Sequence, residues 1–379
     1  MSRDFSEAAN QICILRLSAL GDCCHALGAI NRLKKEMPAS EITWVVGKNE
    51  YELFKGIDGI EFLVVDKSSL LKAMLKIRQD LRGRRFDVLL NMHASMSANL
   101  ISTMISSDRK VGFNKARARD KQNLFCNEFI PAKKQQHVAD GMIEFINHIS
   151  KESDHPIWEP IDLSPEENEA KKYIDEDKTT CVISPCSSQR YGKDYNRSWP
   201  IENFIEITEY LLSHENIQVI VTGGLSQTET EYSNSLDKKA LNGNFLNLIG
   251  KTSIRGMAAI IKHSQFVISP DSGPAHIGTV MNKPVIGLYA MSNPNRSGPY
   301  HSRNWTIDKY PEALELYEGK KIGDSKWGHK VKEPKAMQLI KIKDVKLKID
   351  EVTSHVKSCL LYTSDAADDS LRVDLGGRR

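Results

Sequence analysis

Short apolar runs alternate with longer amphipathic stretches along this chain, and the alternation stops once and then restarts. The runs at 12–17, 42–46, 62–65 and 88–91 have strand length, and the stretches between them carry apolar residues at helical spacing. Strands separated by helices are joined by right-handed crossovers and build a parallel sheet. A helix over 138–149 closes this half. Residues 150–178 then turn polar and contain Pro156, Pro160 and Pro165, which suits a linker that runs into the helix start Ser164-Pro165-Glu166-Glu167. Runs at 181–184, 218–222, 245–248, 266–269 and 285–288 repeat the strand pattern, with helices over 201–213 and 254–263 between them. The expected fold is α/β: a first domain over 1–150, a linker over 151–178 and a second domain over 179–358, their parallel sheets facing a central cleft. Ligands of such sheets bind beyond the carboxyl ends of the strands, so the residues just after each run carry the functional information.

The 379 residues, 40% of them hydrophobic, are enough to bury two ordinary cores. No stretch reaches the roughly 18 uninterrupted apolar residues of a membrane span, and the first 30 residues lack the basic, apolar and small-residue succession of a signal peptide. A cytoplasmic location is expected. Seven scattered cysteines (Cys13, Cys23, Cys24, Cys126, Cys181, Cys186, Cys359) are odd in number and lack paired C-x-x-C spacing, so they indicate neither a disulfide framework nor a zinc site. The net charge of +3 divides unevenly: residues 1–150 hold 22 Lys and Arg against 17 Asp and Glu, leaving −2 for the rest. That excess is too small for a general nucleic-acid binder but suits an anionic small molecule or an acidic membrane surface. The last stretch, 359–379, shares no periodicity with the amphipathic 342–356 before it and resembles translated read-through of a sequencing adapter. It is expected to be a non-native, disordered tail.

Four segments after strand-like runs hold candidate chemistry. In Ile268-Ser-Pro-Asp-Ser-Gly-Pro-Ala-His-Ile-Gly-Thr279 a strand enters a small-residue turn and a helix start. Gly273 permits close approach or positive φ, Pro274 suits the first helical turn, and the free N–H groups there attract anions. After the first strand, Asp22 in Ser18-Ala-Leu-Gly-Asp22 is either a general base at the cleft or an ordinary helix N-cap. Ser187, Ser188 and Arg197 bracket a loop that can bind phosphate through hydroxyls and a guanidinium, or is simply polar. After Thr222-Gly-Gly224, Glu229 or Glu231 is placed to accept from ribose hydroxyls, although solvent-facing glutamates are common there.

Taken together, Ser18-Ala-Leu-Gly-Asp22, the Ser187-Ser188 to Trp199-Pro200 loop, Thr222-Gly-Gly224 and Ser269-Pro-Asp-Ser-Gly-Pro-Ala-His276 occur in the order and spacing of glycosyltransferase family 9. The chain resembles an ADP-heptose:lipopolysaccharide heptosyltransferase over about residues 11–356. The resemblance implies the GT-B fold, two Rossmann-like domains with the acceptor mainly on the first and the nucleotide-sugar mainly on the second. It implies an inverting transfer from ADP-heptose, with Asp22 as the base on the acceptor hydroxyl. It places Ser187, Ser188, Arg197, Ser272, Gly273 and Pro274 near the donor phosphates, Asp271 at the donor, Glu229 at its ribose, and His276 either on the donor or in the core. Many relatives have threonines at Ser187 and Ser188 and lysine at Arg197, and the insertion 189–195 lengthens that loop.

The acceptor implied is a lipopolysaccharide inner core, with carboxylated keto-sugars and lipid A phosphates. His93 and the basic run Lys115, Arg117 and Arg119 are its candidate contacts, with a plain basic surface loop as the alternative. Membrane contact is then expected to be peripheral, at the inner membrane. No D-x-D pair is placed at a donor site and no His/Cys cluster has ligand spacing, so neither a metal nor a cofactor is implied. The competing readings are a nucleotide-sugar epimerase of similar form, which needs further acid/base groups, and a degenerate nucleotide-sugar-binding module. A dehydrogenase is disfavoured by the missing G-x-G-x-x-G after the first strand.

Overall fold

The structure is a computed structural model and describes residues 10–150, 155–187, 196–239, 241 and 243–375, with 359–375 as backbone only. The first sheet comprises β1 (Gln11–Leu15), β2 (Glu41–Gly47), β3 (Ile60–Val65), β4 (Phe86–Asn91), β5 (Ser107–Gly112) and β6 (Glu128–Phe129). All its pairings are parallel and its order is β3-β2-β1-β4-β5-β6. Helices α1 (Leu20–Glu36), α2 (Lys48–Phe54), α3 (Leu70–Asp80), α4 (Met96–Ser102) and α5 (Val138–Asn147) accompany it. After α6 (Ser164–Ala170), the second sheet is built from β7 (Thr179–Ile183), β8 (Ile217–Gly223), β9 (Phe245–Ile249), β10 (Phe266–Pro270), β11 (Val285–Tyr289) and β12 (Ile307–Asp308). Its order is β12-β11-β10-β7-β8-β9, again all parallel. Its helices are α7 (Ile201–Leu212), α8 (Gln227–Asp237), α9 (Ile254–His263), α10 (Gly273–Val280), α11 (Pro294–Ser297), α12 (Tyr310–Glu318) and α13 (Ile342–Leu375).

Counted from its own first strand, each sheet therefore reads 3-2-1-4-5-6, the doubly wound order in which the chain reverses direction between strands 1 and 4. The reversal opens a crevice at the β1/β4 junction in one half and the β7/β10 junction in the other. These central strands carry helices on both faces, which is why β1, β4, β7 and β10 are almost wholly apolar and buried. Burial is not confined to two separate cores. Ala26 and Ile30 of α1 belong to the same buried cluster as Ala258 of α9 and Ile277 of α10, so the halves are welded through these helices.

The segment between the sheets is docked rather than loose. The Ile157 N–H donates to the Gly28 carbonyl (3.0 Å) and the Trp158 indole N–H to the Cys24 carbonyl (2.8 Å). A methyl group on Gly28 would lie 2.7 Å from the Trp158 ring, so this helix position has to be glycine. Arg255 on α9 ties three pieces together, donating to Leu53 and Lys55 carbonyls of the first half, to the Asp162 carbonyl and to the Glu166 carboxylate.

Three strands escape the sequence reading. β5 is polar (Ser-Asp-Arg-Lys-Val-Gly) because it lies toward the sheet edge, and β6 and β12 have only two residues each. Of the tail expected to be non-native and disordered, the backbone of 359–375 continues α13, with nothing between 359 and 375 that is glycine or proline, and 376–379 lie outside the described residues. Among the described residues no helix is long and apolar enough to cross a membrane.

Candidate functional site

The two crevices face each other and form one cleft of about 800 Å³. Its walls come from the carboxyl ends of β1, β7, β8 and β10, where the topology directs ligands. Two helix starts, of α1 and α10, meet across it. A methyl group on Gly21 would fall 2.3 Å from His276 Cδ2, and one on Gly273 would fall 2.8 Å from Leu20 Cδ2. Neither glycine has positive φ, so each is required for close approach between the halves and not for turn geometry.

Asp22 is in the first turn of α1, whose N-cap is Ala19. It is not a cap; its carboxylate pairs with the Arg16 guanidinium, which also donates to the Met92 carbonyl at 2.6 Å. The Asp22 side chain keeps 34% of its surface open toward the cleft. Burial alone would raise its pKa, but Arg16, with Arg296, His276 and His93 beyond it, outweighs that and holds the carboxyl below its ordinary value. The carboxylate is thus ionised, oriented and accessible.

Asp271 directly follows β10 in the second half. It pairs with Arg197 at 2.5 Å and accepts from the Ser292 hydroxyl at 2.7 Å. Burial pushes its pKa up, and Arg197, Lys330 and Ser292 together bring it below the usual value. Ser272 is the N-cap of α10, yet its hydroxyl bonds Ser269 (2.8 Å) and, among the described residues, it makes no side-chain cap to the first-turn N–H groups. Ser272, Gly273 and Pro274 all line the cleft. His276, buried in the same turn, packs edge-on against His25 with ring centroids 4.6 Å apart, and burial holds it below the usual imidazole value.

The other candidates separate by geometry. Arg197 lines the cleft with its guanidinium engaged by Asp271. Ser187 is buried beside it, accepting the Arg197 N–H (3.0 Å) and donating its own N–H to Ser198 (3.0 Å), while Ser188 and the insertion lie outside the described residues. Glu229 lines the cleft and accepts from the Gly224 N–H, the Ser226 N–H and the Ser226 hydroxyl in a capping box. Glu231 is exposed and accepts from Gln227. Of the basic run only Arg119 reaches the cleft. Arg117 instead braces Gln136 and the Pro131 carbonyl over the Phe113 ring, and Lys115 points to solvent. His93 Nδ1 accepts from the Leu17 N–H at 3.2 Å, which seats it behind Asp22 and not on the cleft wall.

His25, Arg296 and Lys330 are among the lining residues that carry no motif in the sequence. The single signal that singles out Arg296 is position, since Pro294-Asn-Arg-Ser follows shortly after β11 beside the β7/β10 crevice.

Two doubly wound sheets with one cleft between their switch points define the GT-B class of glycosyltransferases. The model of glycosyltransferase family 9 (heptosyltransferase) matches residues 74–321, and this chain belongs to that family and is a glycosyltransferase. It is 35% identical to the lipopolysaccharide core heptosyltransferase OpsX of Haemophilus influenzae, over 90% of this chain and 96% of the relative. In fold it is similar to a glycosyl transferase family 9 protein from Veillonella parvula (TM-score 0.72, 18% identity, 90% of this chain and 97% of that one). It is also similar to the E. coli heptosyltransferase WaaC solved with ADP (TM-score 0.69, 19% identity, 90% and 99%).

Proposed function

We propose that this protein moves heptose from ADP-heptose to a lipopolysaccharide inner-core acceptor with inversion at the anomeric carbon. The observation that carries the reading is the Asp22 carboxylate, ionised by Arg16 and open to a cleft whose opposite wall is the uncapped start of α10. Asp22 takes the proton of the acceptor hydroxyl as that oxygen attacks the anomeric carbon. The bond from that carbon to the diphosphate oxygen breaks as the new one forms, and ADP leaves with the electron pair. The first-turn N–H groups of α10 and the Lys330 ammonium oppose the charge growing on the leaving group. One displacement inverts the centre, so one base suffices and no covalent enzyme intermediate forms. Asp271 fixes the Arg197 loop at the donor, and Arg119 faces the acceptor.

The 35% identity to a relative named as a lipopolysaccharide core heptosyltransferase supports the choice of acceptor. Such an acceptor sits on a membrane, so the protein works at the cytoplasmic face of the inner membrane by peripheral contact. The test is purified protein with ADP-heptose and an inner-core acceptor. ADP release that depends on acceptor supports the reading; isomerised nucleotide-sugar formed without acceptor would replace it with the epimerase.

A further inference from the structure

The cations of the cleft divide into committed and uncommitted groups. Arg16 is spent on Asp22 and the Met92 carbonyl, and Arg197 on Asp271. Among the described residues the guanidiniums of Arg119 and Arg296 have no hydrogen-bond or ion-pair partner, although both line the cleft and Arg296 is half-buried. They come from opposite halves, Arg119 from the loop after β5 and Arg296 from α11. They also converge: the point where a Cβ on Gly328 would lie is 3.1 Å from Arg296 Nε and 3.6 Å from Arg119 Nη2. Two like charges held that close repel unless an anion lies between them. Gly328, with no side chain, leaves the space open.

We propose that Arg296 and Arg119 form a clamp, completed only across the two halves, for an anionic group carried by the acceptor sugar beside its reacting hydroxyl. The ligand chemistry is a carboxylate or a phosphate, either of which matches paired guanidinium forks. The acceptor is preferred over the donor diphosphate for two reasons. Asp22 acts on Arg296 more strongly than Asp271 does, so the fork sits on the base's side of the cleft. Its partner Arg119 belongs to the half that carries that base. A clamp of this kind makes the nucleotide-binding half read the acceptor, so an acceptor without the anion is placed badly even when the donor is bound. The inference rests on the function proposed above.

The experiment is initial-rate kinetics on the full chain, varying donor and acceptor separately, for wild type, Arg296→Gln, Arg296→Lys and Gly328→Ala. Arg296→Gln is expected to raise the acceptor KM by roughly tenfold or more and to leave the donor KM within about twofold, from the loss of a charge-assisted hydrogen-bonding fork. Arg296→Lys recovers part of the loss as a point charge. Gly328→Ala raises the acceptor KM through crowding while leaving both arginines in place. Two modified acceptors, one with its sugar carboxylates converted to amides and one with its phosphates removed, identify the group: the one that costs wild type as much as Arg296→Gln does, and costs Arg296→Gln nothing further, carried the anion. A rise in donor KM alone assigns Arg296 to the diphosphate and overturns the proposal, as does a variant with both KM values unchanged. Acceptor titration in the Asp22→Asn background reads the clamp without turnover. Loss of acceptor binding on adding Arg296→Gln there supports the clamp even if the assignment of Asp22 as base fails.

Discussion

Each half of the cleft presents one aspartate paired with one arginine, Asp22 with Arg16 and Asp271 with Arg197, and the two pairs differ in what surrounds them. The Asp271 side chain is 12% exposed and has a second partner in Ser292, so its lone pairs are largely taken by the protein. Asp22 is 34% exposed, and among the described residues Arg16 is its ion-pair partner. Both carboxyls are held below their ordinary pKa by an adjacent guanidinium against the opposing effect of burial, so charge state does not distinguish them. Access does. A carboxylate that must receive a proton from a substrate needs a free lone pair facing the cavity, whereas one that must hold a loop needs the reverse.

The sharpest break of this comparison is to neutralise each aspartate in turn. Asp22→Asn is expected to lower kcat by about 10² to 10⁴-fold, the range for loss of a general base, with the melting temperature and ADP affinity nearly unchanged. Asp271→Ala removes the carboxylate that pairs with Arg197 and accepts from Ser292 in a largely buried position and is expected to cost about 3 kcal/mol of stability, read by denaturant unfolding, together with weaker donor binding. If Asp22→Asn instead destabilised the fold and Asp271→Ala removed turnover alone, the two roles would be exchanged.

Removing Arg16 tests the electrostatic half of the comparison. With Arg16→Met, burial acts on Asp22 without its strongest opposing charge, so the carboxyl pKa rises. Transfer needs the ionised base, present above that pKa and lost as pH falls through it. In wild type the acidic limb of kcat/KM therefore lies below the ordinary carboxylate range, and in Arg16→Met it moves to higher pH. An unmoved limb would mean that the limb belongs to another group.

The same contrast explains what the sequence could disclose. The central strands of both halves are legible because buried parallel strands are continuous apolar runs, and Asp22 and Asp271 are legible because each comes within a few residues of the end of such a run. Partners are not. That Arg197 bonds Asp271, 74 positions away, or that Arg119 lines the cleft while Arg117 folds back onto Pro131, depends on loop paths that carry no periodic signal. Arg296 and Lys330 stayed hidden for the same reason: Asn293 and Pro294 mark a helix start at α11, but nothing local tells that Arg296 on it, or Lys330, is brought to the cleft by the second sheet's topology. The glycines were half legible. Gly273 announced close approach or positive φ, and only the packing of α1 on α10 decides for close approach.

That packing gives a smaller effect with a direction. Gly21→Ala drives a methyl group into the buried His276 ring, which has His25 against its edge and little room to yield. Gly273→Ala meets the flexible end of Leu20. Overpacking of this kind costs about 1–3 kcal/mol, and Gly21→Ala is expected at the upper end with Gly273→Ala at the lower. Thermal unfolding of the two variants side by side measures the difference; equal losses would mean that Leu20 is as confined as His276.

The smallest effect separates the two glutamates that follow β8. Glu231 has one exposed partner, so Glu231→Ala should stay within about 0.5 kcal/mol of wild type and leave kinetics alone. Glu229 holds the capping box that starts α8, and its loss is expected to cost about 1 kcal/mol. Its carboxylate already accepts three bonds, one on Oε1 and two on Oε2, so a lone pair remains on Oε1 beside Gly224 at the cleft wall. A donor hydroxyl that uses that lone pair makes Glu229→Ala raise the donor KM beyond what the stability loss produces. Glu229→Gln discriminates further, because an amide turned to keep its oxygen toward Gly224 preserves that acceptor while weakening the contacts to Ser226. Donor KM restored in Glu229→Gln but not in Glu229→Ala places the hydroxyl on Oε1; equal donor KM in both variants and wild type leaves Glu229 as a helix cap alone.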